Sequence, residues 1–270
     1  RCALTKRARA ETRLKAKRDE VRVVPRNHPI KTFIVPGTAI EIGVASKVPL
    51  PTIYLGMTRM LPIGESDPDM VENLIDTSIN QEDAKFITSF VNSVIGVSAL
   101  TGSSEIITQE ITGTTKSSKH PAYSHSPKSV SLGQDSLSSI ATALASFQKL
   151  KREWDDYPGG LLVIDEVDAG FHPHAQRKLI QGIAGVAKKL NLQVIATTHS
   201  LSLIEAIHPD SNPMGDNGVR SDKVIYIRDT KNPSISDWSL EAIRDDMNLV
   251  APKPSEKITT PYLKVYLEDA

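Results

Sequence analysis

The chain of 270 residues holds a single cysteine, Cys2, so no disulfide framework can staple it, and a reducing, cytoplasmic setting is expected. Aromatic residues make up only 5% of it, so its core must be mostly aliphatic. No apolar run approaches the roughly 18–20 residues of a membrane span, and the charged first residues lack the apolar centre of a secretory leader. A membrane partner is therefore not expected. No sign of charge is in excess: 32 Lys and Arg stand against 32 Asp and Glu, so net charge points to no partner. Heptads and internal repeats are missing too, which excludes a long coiled coil and a solenoid.

What is present is uneven. Residues 1–26 carry ten Lys or Arg against three acids. This basic stretch reads first as the wet face of strands, since residues 3–24 alternate charged with small or apolar side chains; a nucleic-acid surface is the second reading. A further strand pair is expected at about 31–43, broken by Pro36-Gly37, and Thr52 to Gly56 reads as a central strand. Asp67 to Asp69 are expected to cap a polar helix through about Asn80. A second helix opens at Gln81 with Phe86, Ile87, Phe90, Val91, Val94 and Ile95 on its apolar face. Glu105 to Thr112 reads as a strand and 113–128, rich in Thr, Ser, Lys, His and Pro, as a loop.

The organising stretch is Gly160 to Pro173. Four apolar residues, Leu161 to Ile164, run into Asp165 and Glu166, as a buried parallel strand would that presents acids at its C-terminal end. Open α/β sheets bind ligands at that end. Adjacent Asp and Glu there suit a magnesium-dependent hydrolase, one acid holding the metal or its waters and the other orienting or deprotonating a water. A helix from Pro173 to Leu190 follows, with Ile180, Ile183, Ala184, Ala187 and Leu190 as its buried face. Gln193 to Thr198 forms the next strand and ends at His199, with helix Leu201 to Ile207 behind it. Strand–helix–strand makes the two strands parallel neighbours and brings Glu166 and His199, 33 residues apart, to one sheet edge. Upstream, Ser131, Gly133 and Gln134 open a helix to about Trp154, whose N–H groups and dipole suit an anion. Val224 to Ile227 reads as a strand, Leu240 to Met247 as a short helix, 251–261 as a linker, and Leu263 to Glu268 as a last strand.

This ordered set resembles the ABC-type ATPases, in particular their SMC-like branch. Val130 to Gln134 resembles the signature motif, with Leu132 in place of a glycine. Leu161 to Glu166 resembles Walker B with its catalytic glutamate. Asp168 to Pro173 resembles the D-loop region, in the form common to the overcoming-lysogenization-defect (OLD) family of defence ATPases, and Ile195 to Ser200 the switch-histidine strand. Thr52 to Glu65 resembles the strand and loop before the helical subdomain, with Arg59 near where many relatives keep a glutamine. The resemblance covers about residues 50–207.

It implies an α/β fold: an ABC-ATPase-like (P-loop NTPase) parallel-sheet core with an antiparallel β region and a helical subdomain. It divides the chain into an antiparallel part at 1–65, a helical and signature subdomain at 66–130, the ATPase core at 131–250, and a linker with the possible start of a Toprim nuclease domain at 251–270. ATP and Mg2+ are the implied cofactors. Glu166 and His199 would act on the reaction, Ser131, Gly133, Gln134, Asp165 and Asp168 would bind nucleotide, and Asp165 would hold the metal. No G-x-x-x-x-G-K-[ST] occurs in the sequence; the family places that phosphate cradle upstream, and a start at Arg1 leads us to expect it there. In the family, the signature of one subunit closes on ATP held by the other. The implied partners are thus a second copy in a homodimer or higher oligomer, a nuclease domain or subunit, and nucleic acid. The implied function is ATP-driven dimerisation controlling a nuclease effector in prokaryotic antiviral defence. A non-hydrolysing scaffold and a DNA-repair or SMC-like DNA-binding ATPase are the alternatives.

Overall fold

A computed structural model describes residues 3–9, 19–25, 32–34, 41–43, 47–48, 50–61, 63, 66, 68–96, 105–114, 116–126, 129–211, 222–229, 231 and 237–250. The linker and last strand expected after residue 250 lie outside them. The chain forms two compact units, Arg1–Ala206 and Ile207–Ala270.

In the first unit, β1 (Ala3–Arg9) pairs antiparallel with β2 (Asp19–Pro25), and β2 with β5 (Lys47–Val48). β3 (Thr32–Ile34) and β4 (Glu41–Gly43) form the hairpin expected around Pro36-Gly37. The parallel sheet holds β6 (Thr52–Leu55), β10 (Gly160–Ile164) and β11 (Leu192–Ala196) in the order β11-β10-β6. β10, not β6, is the central strand. Its register puts Ile164 beside both Leu55 and Ala196, so the three strands end together.

One face of this sheet, carrying Leu162, Ile164, Ile53, Leu55 and Val194, packs on helices α1 (Gln81–Ile95), α2 (Leu132–Glu153) and α3 (Pro173–Leu190). Each fully buried Leu or Ile contributes about 1.5–3 kcal/mol there. The other face is different. Val163 lies between Tyr54 and Ile195, which are 60% and 51% exposed. β11 is accordingly an aliphatic strand with a wet face.

Two segments depart from the sequence reading. The polar helix expected at 67–80 is a single 3-10 turn, Pro68–Met70, followed by β7 (Val71–Ile75). The loop expected at 113–128 contains β9 (Ser117–Pro121). Both strands pair with β8 (Ile106–Ile111) in an antiparallel sheet, β7-β8-β9. Polar composition and inverted burial hid them: Leu74 and Ile75 of β7 are exposed, while Ser118 and His120 of β9 are buried. Asp76 fastens the sheet. It accepts from Ser78 and Lys119, whose hydrogen bonds outweigh burial and hold its carboxyl well below the usual range.

The helices begin where the caps direct. Asn80 accepts from the Glu82 N–H at 2.8 Å and starts α1. Asp83, buried on α1, pairs with both terminal nitrogens of Arg152 on α2, at 3.0 and 2.9 Å. In α3 the buried face is Gln176, Leu179, Ile183, Ala187 and Leu190. That is offset from the expected stripe, since Ala184 is exposed and Ile180 half-buried. The true spacing of 3, 4, 4 and 3 follows the helical period and admits one glutamine, which satisfies itself by donating to Phe171 O at 2.9 Å. A short helix α4 (Leu201–Ile207) ends this run.

The second unit is built around α5 (Leu240–Met247), capped by Ser239, with Asp210 Oδ2 accepting from the Leu240 N–H at 2.8 Å. Tyr226 packs edge-on against Trp238 and donates to Asp246. Val224 to Ile227, expected as a strand, makes no ladder among the described residues.

Candidate active site

β10 and β11 end side by side, and the chain turns sharply after each. Thr197, just past β11, donates its hydroxyl to Asp165 Oδ1 at 2.7 Å and accepts from the Glu166 N–H at 2.8 Å. Thr198 donates to Asp168 Oδ1 and accepts from the Ser200 N–H at 3.0 Å. Two adjacent threonines thus orient two carboxylates of the neighbouring turn. His199 follows, and its Nε2 lies 3.1 Å from Glu166 Oε1.

Glu166 adopts a left-handed backbone, φ +52°. For a residue with a Cβ this costs about 1–2 kcal/mol, and it persists only where neighbours over-determine it. They do: Val167 N–H donates to Thr197 O and Ala169 N–H to Glu166 O, both at 2.9 Å. Arg59 Nη2 donates to Glu166 O at 2.6 Å as well. The strained turn lifts the Glu166 side chain away from the strand line and toward His199.

The first turn of α2 meets this turn from the side. A Cβ on Gly133 would lie 2.5 Å from Gly170 O, so the two backbones touch as only glycines allow. Ser131 and Gln134 form a capping box: Ser131 Oγ accepts from the Gln134 N–H at 3.2 Å, and Gln134 Oε1 from the Ser131 N–H at 3.0 Å. Each side chain is therefore engaged with the backbone N–H of the other residue. What the helix end presents is the pair of N–H groups of Leu132 and Gly133, which have no intrahelical acceptor.

The structure thus brings Asp165, Glu166, Asp168 and His199 to one edge, and sets Gly133 against Gly170 beside them. Sequence reasoning gave Thr197 and Thr198 no role, although they directly precede His199 opposite the acids in a parallel register. It left Arg59 without one as well. Arg59 is buried under the site, pulled down in pKa by desolvation and supported by Asp165, Glu166 and Asp168.

Chemically, the half-buried Glu166 can accept a proton from a water, and the exposed His199 can donate to it or to an anion. Among the described residues no three His, Cys, Asp or Glu side chains converge as a metal cage. Magnesium bound beside phosphates takes only one or two carboxylates, with water and phosphate oxygens completing its shell. Asp165, half-buried and fixed by Thr197, fits that demand as a contributor.

A parallel-sheet core with acids and a histidine at its strand ends, and a helix N-terminus beside them, is the arrangement of an open α/β fold with its ligand site at the C-terminal sheet edge. The family profile described as "AAA domain, putative AbiEii toxin, Type IV TA system" matches residues 63–205, more than half of the chain. The chain belongs to this AAA-domain family, and the matched residues lie wholly within the first unit. Septu protein PtuA of Bacillus thuringiensis is 35% identical over 94 residues, which are 34% of this chain and 22% of that protein. The chain thus spans about a fifth of that relative's length. Uncharacterized protein MJECL11 of Methanocaldococcus jannaschii is 34% identical over 87 residues, 32% of this chain and 73% of that protein. A solved chain described as "Structural biochemistry of ATP-driven dimerization and DNA stimulated activation of SMC ATPases" overlaps 64% of this chain and 92% of its own, at 15% identity and a TM-score of 0.38. No described helix is long and apolar enough to cross a membrane.

Proposed function

We propose that this chain carries the signature and hydrolytic half of an ATPase site, that it closes on ATP as a homodimer or higher oligomer, and that closure controls a nuclease effector in prokaryotic antiviral defence. The carrying observation is the pairing of Glu166 with His199 beside a threonine-fixed Asp165. In this reading Glu166 takes the proton of the attacking water, and His199 orients that carboxylate and reports on the terminal phosphate. Asp165 would hold Mg2+ through its water shell. ATP and Mg2+ supply the bond to be broken and the charge neutralisation when bound; the residues here position water and accept its proton. The N–H groups of Leu132 and Gly133 would face phosphate across the dimer, with Ser131 and Gln134 holding them in place and Asp168 bracing the turn. The defence role is supported by the similarity to the Septu protein and by the resemblance to OLD-family ATPases. A Toprim nuclease start at 251–270, the segment limits at 65, 130 and 250, a cytoplasmic setting and a nucleic-acid partner are further parts of this proposal.

The test is Glu166→Gln in the whole protein. ATP binding is expected to persist, turnover to fall at least about a hundredfold, and light scattering to show ATP shifting the variant toward the dimer. Undiminished turnover would remove the role of Glu166. The alternative reading is a scaffold that binds ATP without hydrolysing it. Dimerisation on ATP with no turnover even in the unaltered protein would select it. Nucleic-acid cleavage that is indifferent to ATP would remove the effector coupling.

A further inference from the structure

Arg59 sits in the 3-10 turn Met57–Met60 after β6, and it is 4% exposed. Its donors go to three separate segments. Nε donates to Ser136 Oγ on the first turns of α2 at 3.2 Å. Nη1 donates to Gly56 O at 3.1 Å and Leu55 O at 3.4 Å, at the end of β6. Nη2 donates to Glu166 O at 2.6 Å, the shortest of the set. A planar guanidinium with five fixed donors can join three such acceptor groups at once; an ammonium cannot hold that fork.

The acceptor at Glu166 matters most. Its carbonyl belongs to the left-handed residue whose side chain meets His199, and the same oxygen receives the Ala169 N–H. The Arg59 bond therefore fixes the peptide plane that aims the Glu166 carboxylate. At its other end, Ser136 lies one turn along from Gly133, whose backbone abuts Gly170 in the same acidic turn. The start of α2 and the turn Asp165–Gly170 are thus joined twice, by a guanidinium from below and by glycine contact from the side. Asp165, Glu166 and Asp168 all lie close enough to favour the charge of Arg59, so the cation also holds three carboxylates together that would otherwise repel.

We propose that Arg59 is a positioning residue that couples the first turns of α2 to Glu166, so that a displacement of the α2 N-terminus is transmitted to the water-facing carboxylate. This rests on the ATPase reading above. It adds a residue to that site, and a mechanical link between its phosphate-facing helix and its base.

The test compares Arg59→Met, which keeps the apolar stem and removes every donor, with Arg59→Lys and Ser136→Ala in the whole protein. Two readouts are taken. Hydrogen exchange at the Ala169 and Val167 amides reads the hold on the turn and does not depend on ATP. Steady-state ATP turnover reads the coupling. Arg59→Met is expected to speed exchange at Ala169 by at least tenfold and to lower kcat by at least tenfold, with KM within about twofold of the unaltered protein. Arg59→Lys is expected to restore little, and Ser136→Ala to lower kcat several-fold with exchange at Ala169 nearly unchanged. Should Arg59→Met not fold, Ser136→Ala and Arg59→Lys decide the matter on the same readouts. Unchanged exchange at Ala169 in the methionine variant would overturn the proposal. So would faster exchange with unchanged kcat, or a loss confined to KM. An unaltered protein without ATP turnover would sink the ATPase reading and the coupling with it, while the exchange result would still report whether Arg59 holds the turn.

Discussion

His199 Nε2 and Glu166 Oε1 stand 3.1 Å apart, although the histidine is 84% exposed and belongs to a different strand end. An exposed side chain that makes one directed contact adds little to stability. Its removal therefore separates chemistry from folding. His199→Ala is expected to lower ATP turnover by about tenfold to a hundredfold, and to leave the melting temperature within about 1 °C. His199→Gln, which keeps a donor on a flexible stem, should fall between. Turnover assays and thermal melts on the three proteins check this. A matching loss of stability would mean that the pair is structural.

The glycine contact under the site gives the opposite pattern. Gly133→Ala places a methyl group 2.5 Å from Gly170 O, and neither partner is a side chain that can swing away. The substitution should cost about 1–3 kcal/mol as an overpacking strain, which for a unit of this size lowers Tm by about 3–10 °C. Gly185→Ala on α3 is the control, since a Cβ there meets nothing within 4 Å. It removes a helix-interior glycine and should raise stability by about 0.5–1 kcal/mol. Differential scanning calorimetry of both variants decides. Equal stabilities would show that the start of α2 can move off the acidic turn freely.

These two sites mark how far the sequence was legible. The run Leu161 to Ile164 ending in two acids, and the spacing from Glu166 to His199, depend on period and topology, which a sequence carries directly. The parallel pairing of β10 with β11 follows from them. Helix α1 was legible from its apolar stripe, α2 from the Ser131 at its start, and α3 in its extent though not in its buried face. Gly133 was legible as a glycine needing close approach, but the sequence could not say to what. The near neighbour is Gly170 of the same chain, 37 residues away.

What escaped did so for physical reasons. β7 leaves Leu74 and Ile75 exposed and buries none of its described side chains, while β9 buries the polar Ser118 and His120. Hydropathy alternation misreads such strands as loop or polar helix, because their partners are specified by hydrogen bonds and charge. Arg59 escaped for a related reason. A buried guanidinium is recognisable only from its acceptors, and here those are carbonyls and a hydroxyl drawn from positions up to 107 residues away.

The same logic governs the pair that holds β9 to α2, Lys116 and Asp135, which are 4% and 2% exposed. Lys116 Nζ donates to Asp135, to Leu61 O and to Arg59 O, so all three ammonium donors are used. Asp135 also accepts from Ser118 Oγ at 3.1 Å. Burial pushes the Asp135 carboxyl up from its ordinary range, against the pull of Lys116 and Ser118. Removing one partner is therefore far worse than removing both. Lys116→Met should cost about 3–5 kcal/mol, because it strands a buried carboxylate and two carbonyls. Joining it with Asp135→Leu should recover part of that loss, so that the double variant is more stable than the two single effects add to. The pH dependence has a definite sign. Without Lys116 the folded-state pKa of Asp135 rises further above its unfolded value. The folded protein then binds the proton more tightly, and stability present below about pH 4, the unfolded value, is lost as pH rises through the folded one. Lys116→Met should thus lose more stability between about pH 4 and pH 7 than the unaltered protein, and the double variant, having no carboxyl there, should not. Urea unfolding of the four proteins at both pH values measures the cycle. Additive effects, or a single variant that gains stability as pH rises, would show that the two groups do not act as an ion pair.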